Sequence, residues 1–201
     1  MNVRIPPAVV AAVAMLAVGC SGGAVTDTGE SHTPVPAGAA PPPSAPAPSN
    51  AHLANAFDYV AYPPTGTTYY FTSPSGAWAC AIVPRVKAGC QSATSFPATM
   101  GITGEPDSVP GADGGAAPPN ALVVPREGAA QFVALQAPEL ALDPGPGKEL
   151  PFNRILAVAG FRCNVQEATG VSCLSEFSGN GFTFSTDGLV PRYTDVPVEA
   201  P

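Results

Sequence analysis

Two stretches of this chain follow one plan: WACAIVPRVKAGC (78–90) and FRCNVQEATGVSC (161–173). Each places an aromatic residue two positions ahead of a C-x9-C pair. Successive side chains of an extended strand point to opposite faces. In the second unit Phe161, Cys163 and Val165 therefore share one face, and Arg162, Asn164 and Gln166 the other. Glu167-Ala168-Thr169-Gly170 supplies a turn, after which Val171 and Cys173 return on the inward face. The first unit repeats the plan with Trp78, Cys80 and Ile82 inward, Pro84-Arg85 near the turn, and Ala88 and Cys90 returning. Folded as hairpins, both units bring their own cysteines within disulfide reach. The expected bonds are Cys80–Cys90 and Cys163–Cys173, although four cysteines allow two other pairings. Each local closure contributes roughly 2.5–3 kcal/mol in the chain-entropy treatment.

The surrounding sequence reads as strands. Aromatic and β-branched clusters recur at 67–72, 77–83, 121–124, 131–135, 152–158, 161–165, 181–185 and 189–193, with turn residues between them. No segment keeps helical spacing of apolar residues beyond about two turns, whereas period-2 alternation recurs. The chain has 26 prolines, and those between 74 and 151 interrupt every long helical stretch. We expect a single, mainly β domain over 54–197, a sandwich or barrel-like fold, with at most one short helix around 129–136. Residues 101–119 and 143–151 are too rich in Gly and Pro for sheet interiors and read as loops. The first carries Glu105, Asp107 and Asp113, but their spacing matches no calcium-loop pattern, so a solvated acidic loop is the expectation. Residues 198–201 form a short tail.

The N-terminus determines where such a domain resides. Arg4 precedes an apolar run from Ala8 to Val18, followed by Gly19-Cys20. Eleven apolar residues fall short of the roughly 20 that span a bilayer and fit the h-region of a secretory signal. Ala17-Val18-Gly19-Cys20 resembles the lipobox of bacterial lipoproteins, in which the cysteine receives diacylglycerol and becomes the new N-terminus. The reading is a signal peptide over 1–19, lipid attachment at Cys20 and a Pro/Ala-rich tether over 20–53. A diacyl group gives stable attachment where one chain gives only reversible binding. Four cysteines then remain for two disulfides in an oxidising compartment, on the outer face of the cytoplasmic membrane.

Several activities are disfavoured. The formal net charge is −7 with eight Lys and Arg residues, which argues against a nucleic-acid partner. Both histidines, His32 and His52, fall in the tether, which disfavours Ser-His-Asp or Cys-His catalysis and His-ligated metals. The x9 spacing misses the two to four residues usual between zinc cysteines. Asp27-Thr28-Gly29 spells the aspartic-protease triplet once, where that chemistry needs two copies. No nucleophile elbow, S-x-x-K, phosphate loop or dinucleotide fingerprint occurs, so no catalytic residue, metal or cofactor is assigned.

FTSPSGAWAC (71–80), LPFNRILAVAGFRC (150–163), GVSC (170–173) and SGNGFTFS (178–185) together resemble a group of uncharacterised exported proteins and lipoproteins of mycobacteria and related actinobacteria. Their recurring elements are F-x-S-P-S-G-x-x-x-C, L-P-[YF]-G-x-x-L, F-x-C, G-V-x-C and G-H-G-F. This chain departs at Asn153, where Gly is expected, and at Asn180, where His is common. The resemblance implies location and fold and carries no activity. The expected function is that of a non-enzymatic, lipid-anchored envelope protein that binds an envelope protein, a cell-wall polymer or a lipid. Two alternatives differ in class. A carrier of apolar ligands predicts a cavity lined by Phe132, Leu135, Phe152 and Phe182; a carboxylate-based cell-wall hydrolase predicts two acids about 5–9 Å apart in a cleft.

Overall fold

The computed structural model describes residues 48–201. The expected signal peptide over 1–19, Cys20, the Asp27-Thr28-Gly29 triplet, His32 and the part of the expected tether up to residue 47 lie outside the described residues. A 3-10 turn at Ala56–Asp58 precedes fourteen strands. In the first part these are β1 (Val60–Ala61), β2 (Thr68–Thr72), β3 (Trp78–Val83), β4 (Lys87–Ser92), β5 (Val109–Pro110), β6 (Ala116–Ala117), β7 (Ala121–Pro125), β8 (Gln131–Val133) and β9 (Lys148–Glu149). In the second part they are β10 (Ile155–Val158), β11 (Phe161–Gln166), β12 (Gly170–Ser175), β13 (Gly181–Ser185) and β14 (Gly188–Val190).

The strands form a β-sandwich. One sheet has the order β1-β2-β3-β4-β7-β8, with β9 pairing beside β2; the other is an unbroken meander from β10 to β14. Both cysteine units are hairpins in the expected register. Cys80 lies opposite Cys90 in β3–β4, and Cys163 opposite Cys173 in β11–β12. Their Cα atoms are 4.0 and 4.1 Å apart, and both pairs are disulfide-bonded. So close an approach marks non-hydrogen-bonded positions of an antiparallel ladder, where facing side chains come nearest.

Period-2 alternation places the two inner faces. Phe71, Ile82, Leu122 and Val124 of the first sheet share one buried cluster with Phe161, Val165, Phe182 and Phe184 of the second, and both disulfides lie within it. Trp78 meets Phe184 edge to face across the sheets, with ring centroids 5.1 Å apart.

Both outer faces are also covered, which simple alternation does not reveal. Over the first sheet, the segment 134–143 seats Leu140 against Tyr70, Ala81, Ala121 and Val123. Gln91 accepts a hydrogen bond there from the Leu140 N–H at 3.0 Å. Over the second sheet, residues 192–196 form a strap across Asn164, Gln166, Ser172 and Thr183. The Thr194 N–H donates to Ser172 Oγ at 2.8 Å, and Asn164 Nδ2 donates to the Thr194 carbonyl at 3.0 Å. The polar residues facing away from the core are thus buried too, each with a partner, as buried polar atoms require.

Three local expectations change. The stretch 129–136 is not helical: Gln131–Val133 pairs with β7, because the open edge of β7 needs hydrogen-bond partners, and Gly128 and Pro138 leave too few residues for a stable helix. The loop 101–119 contains the β5–β6 hairpin, and Lys148 and Glu149 of the loop 143–151 pair in parallel with Phe71 and Thr72. The chain also joins the domain before residue 54. The Ser49 N–H donates to Asp195, the Ser49 carbonyl accepts from Arg162, and Leu53 bridges to Ile155.

Candidate functional site

In an antiparallel sandwich, alternate turns gather at the same end. Here the β3–β4 turn (84–86), the β7–β8 loop (126–130), the β10–β11 turn (159–160) and the β12–β13 loop (176–180) meet at one end of the two sheets. They are stitched by backbone and side-chain bonds. The Arg85 N–H donates to the Ala159 carbonyl (3.2 Å), the Arg126 N–H to Val86 (2.8 Å), and the Glu176 N–H to Gly160 (3.0 Å). Ser175 Oγ donates to the Arg126 carbonyl at 2.7 Å, and Asn180 Nδ2 to the Gly128 carbonyl at 2.8 Å.

Between these turns lies a cleft of about 450 Å³, lined by Arg85, Arg126, Ala159, Gly160, Phe161, Glu176 and Phe177. Arg85 and Ala159 hold left-handed backbone angles, φ 61° and 54°, a conformation costing a non-glycine residue about 1–2 kcal/mol. The Arg126 guanidinium stands 4.2 Å from the centroid of the Phe177 ring, a cation–π contact that occupies none of its N–H donors. Phe177 nevertheless remains 59% exposed. The lining carboxylate, Glu176, turns to Arg162 Nε at 3.0 Å. Arg162 itself is buried; its other nitrogens donate to the Ser49 carbonyl and to Asn50 Oδ1.

Charge separates this cleft from its neighbours. A larger one of about 610 Å³ contains Lys87, whose ammonium is bound to Glu139 at 2.7 Å. A third, of about 470 Å³ beside the strap, carries Asp187 and Arg192, charges of opposite sign. Among the described residues, Lys87, Lys148 and Arg162 form ion pairs, and Arg85, Arg126, Arg154 and Arg192 do not; of these four, Arg85 and Arg126 share one cleft.

The residues singled out from sequence are placed as follows. Cys80, Cys90, Cys163 and Cys173 are fully buried staples. Glu105 accepts from the Met100 and Gly101 N–H groups, and Asp113 from Gly115, so these loop carboxylates cap backbone amides. No three His, Cys, Asp or Glu side chains gather as a metal-ligand set among the described residues. Of the four residues proposed to line a carrier cavity, Phe182 is core, Phe152 is exposed, and Phe132 and Leu135 are half-buried. No one of the four main clefts takes in more than one of them.

Asn153 has φ 61°, so it fills a left-handed position that Gly also suits. Arg126 and Phe177 were not singled out by sequence reasoning. Their signal is positional: once 78–90 and 161–173 are hairpins, the turns after β3, β7, β10 and β12 must share an end, and the basic and aromatic turn residues there converge. Comparison with protein-family models, curated proteins and solved structures finds no match to this chain.

Proposed function

We propose that this chain is a cell-envelope lipoprotein, anchored through Cys20, whose extracytoplasmic β domain is a non-enzymatic binding module. The anchor rests on the Ala17-Val18-Gly19-Cys20 stretch behind an apolar run of signal-peptide length, and on the resemblance to exported actinobacterial lipoproteins. Two disulfides suit a compartment outside the cytoplasm. The observation that carries the binding role is the cleft where four turns meet. It exposes an aromatic ring and two arginines without ion-pair partners on a rigid, disulfide-stapled scaffold.

Two measurements test this reading. Intact mass and membrane fractionation of the chain and of Cys20→Ser should show the lipid mass and membrane association lost together; a Cys20→Ser protein that stays membrane-bound at unshifted mass would defeat the anchor. For the binding role, a photo-crosslinking residue at position 177 of the anchored protein should give a discrete envelope adduct that the same residue at Asp187, on the far side of β13, does not. Equal labelling from both positions would remove the cleft from the proposal.

A further inference from the structure

The cleft at the four-turn end has a chemical preference of its own. The molecule carries a net charge of −7, and each basic residue that could approach one of its many carboxylates has an incentive to do so. Three of them do. Arg85 and Arg126 instead line one cavity together, and its single carboxylate is held by a buried arginine from the side. Arg126 is fixed in place by the Phe177 ring with its N–H fork unspent. Two left-handed residues, Arg85 and Ala159, form the rim and are tied to each other by a backbone hydrogen bond. Both angles belong to tight hairpin turns, which fix the positions of Arg85 and Ala159 beside the cleft. Volume limits the guest: about 450 Å³ matches sites for small molecules and excludes a folded partner from entering.

We propose that this cleft binds a small organic anion: a phosphate or carboxylate group held by Arg85 and Arg126, with an apolar body packed on the exposed Phe177 ring. Guanidinium is suited to this because it presents donors in a planar fork that matches such oxyanions and stacks on aromatic faces. Phe177, 59% exposed, supplies the apolar surface of the cleft. A bare inorganic anion satisfies only the outer half of the site. The assignment rests on the binding role proposed above and narrows it to one ligand chemistry.

The test uses the full chain in detergent, with phenyl phosphate, inorganic phosphate and a short-chain phosphatidic acid as probes, read by backbone amide shifts. Phenyl phosphate should saturate with a dissociation constant on the order of 1 mM and move amides of 84–86, 126–128, 159–161 and 176–177. Arg85→Met and Arg126→Met should each weaken it about tenfold, the loss expected for one charge-assisted hydrogen bond. Phe177→Ala should remove the advantage of phenyl phosphate over inorganic phosphate, bringing the two to about the same affinity. Competition by phosphatidic acid at the same amides identifies a lipid headgroup as the natural source; binding of phenyl phosphate alone identifies a free aromatic anion. Non-saturating shifts, or arginine variants that bind as well as the parent, overturn the assignment. A position-177 envelope adduct that survives while phenyl phosphate fails to bind removes the anion assignment and leaves the binding role standing. Saturable anion binding by a chain that is never lipidated removes the anchor and leaves the anion assignment standing.

Discussion

Replacing one cysteine pair by alanine gives a sharp test of how this domain is stabilised. Both disulfides close loops of the same sequence separation, 10 residues, so the chain-entropy treatment assigns each the same term, about 2.7 kcal/mol at 25 °C. All four cysteines are fully buried, so each Cys→Ala change also removes one buried sulfur. Taking a sulfur as about one methylene, with a small void left behind, adds about 1 kcal/mol per position. Cys80→Ala with Cys90→Ala should therefore cost about 4–5 kcal/mol, and Cys163→Ala with Cys173→Ala about the same. Urea unfolding measures this: with a slope of about 2 kcal/mol/M, each pair should lower the midpoint by about 2 M. Removing both pairs takes away about 9–10 kcal/mol, comparable with the whole stability of an ordinary domain, and should leave the chain unfolded without denaturant. The parent chain, denatured without reductant, should release no thiol from these four positions. A cost below about 1 kcal/mol for either pair, or pairs differing by more than about 3 kcal/mol, would refute the closure argument, because equal loops in equally buried sites cannot differ so much through entropy.

Three further outcomes follow from individual sites. Burial pushes the Tyr193 phenol upward, so the neutral form is required in the fold; its contribution is intact below the unfolded value of about 10 and is lost as pH rises above it. Tyr193→Phe should flatten the alkaline fall in melting temperature above about pH 10, Tyr59 retaining a smaller slope of the same sign; an unchanged alkaline limb would disprove the assignment. Gly170 has φ 86°, and a Cβ there would run into the Phe184 carbonyl oxygen; Gly170→Ala should cost more than about 3 kcal/mol by urea titration, and a loss under about 1 kcal/mol would count against this turn geometry. At Asn153, Gly should be neutral or slightly stabilising and Ala destabilising by about 1 kcal/mol, an ordering that thermal melts can reverse or uphold.

The paired hairpins were legible because three signals coincide in each: period-2 alternation, a turn-forming segment and two cysteines at matching distances from it. Register follows from that coincidence, since shifting either strand by one residue would turn Cys163 or Cys173 away from the core. The β8 strand was ambiguous: 131–135 stands among the aromatic and β-branched clusters yet is too short to separate a strand from a helical turn, and pairing with the edge of β7 decides it. The buried state of Asn164, Gln166 and Ser172 was hidden for a related reason. Alternation shows which side of β11 and β12 a residue occupies, and only tertiary structure brings the 192–196 strap across that side. The cleft stayed invisible because its members come from four turns spread over residues 85–177, and no local pattern marks them as neighbours.

Coverage of both outer faces has a consequence for where recognition takes place. The segment 134–143 occupies the open side of one sheet, and residues 49–53 and 192–196 that of the other, so neither flat face offers its strands to a partner. Of the clefts that remain, the one at the four-turn end holds two cations without ion-pair partners. Arg162 connects that end to the point where the chain enters the domain, because one guanidinium grips Ser49, Asn50 and Glu176 together. Were Arg162 absent, the Glu176 carboxylate, which lines the same cleft, would be free to turn toward Arg85 or Arg126. A buried arginine on the strap side therefore does two things at once: it secures residues 49 and 50 and holds the Glu176 carboxylate to itself, which under the anion proposal leaves Arg85 and Arg126 for the ligand.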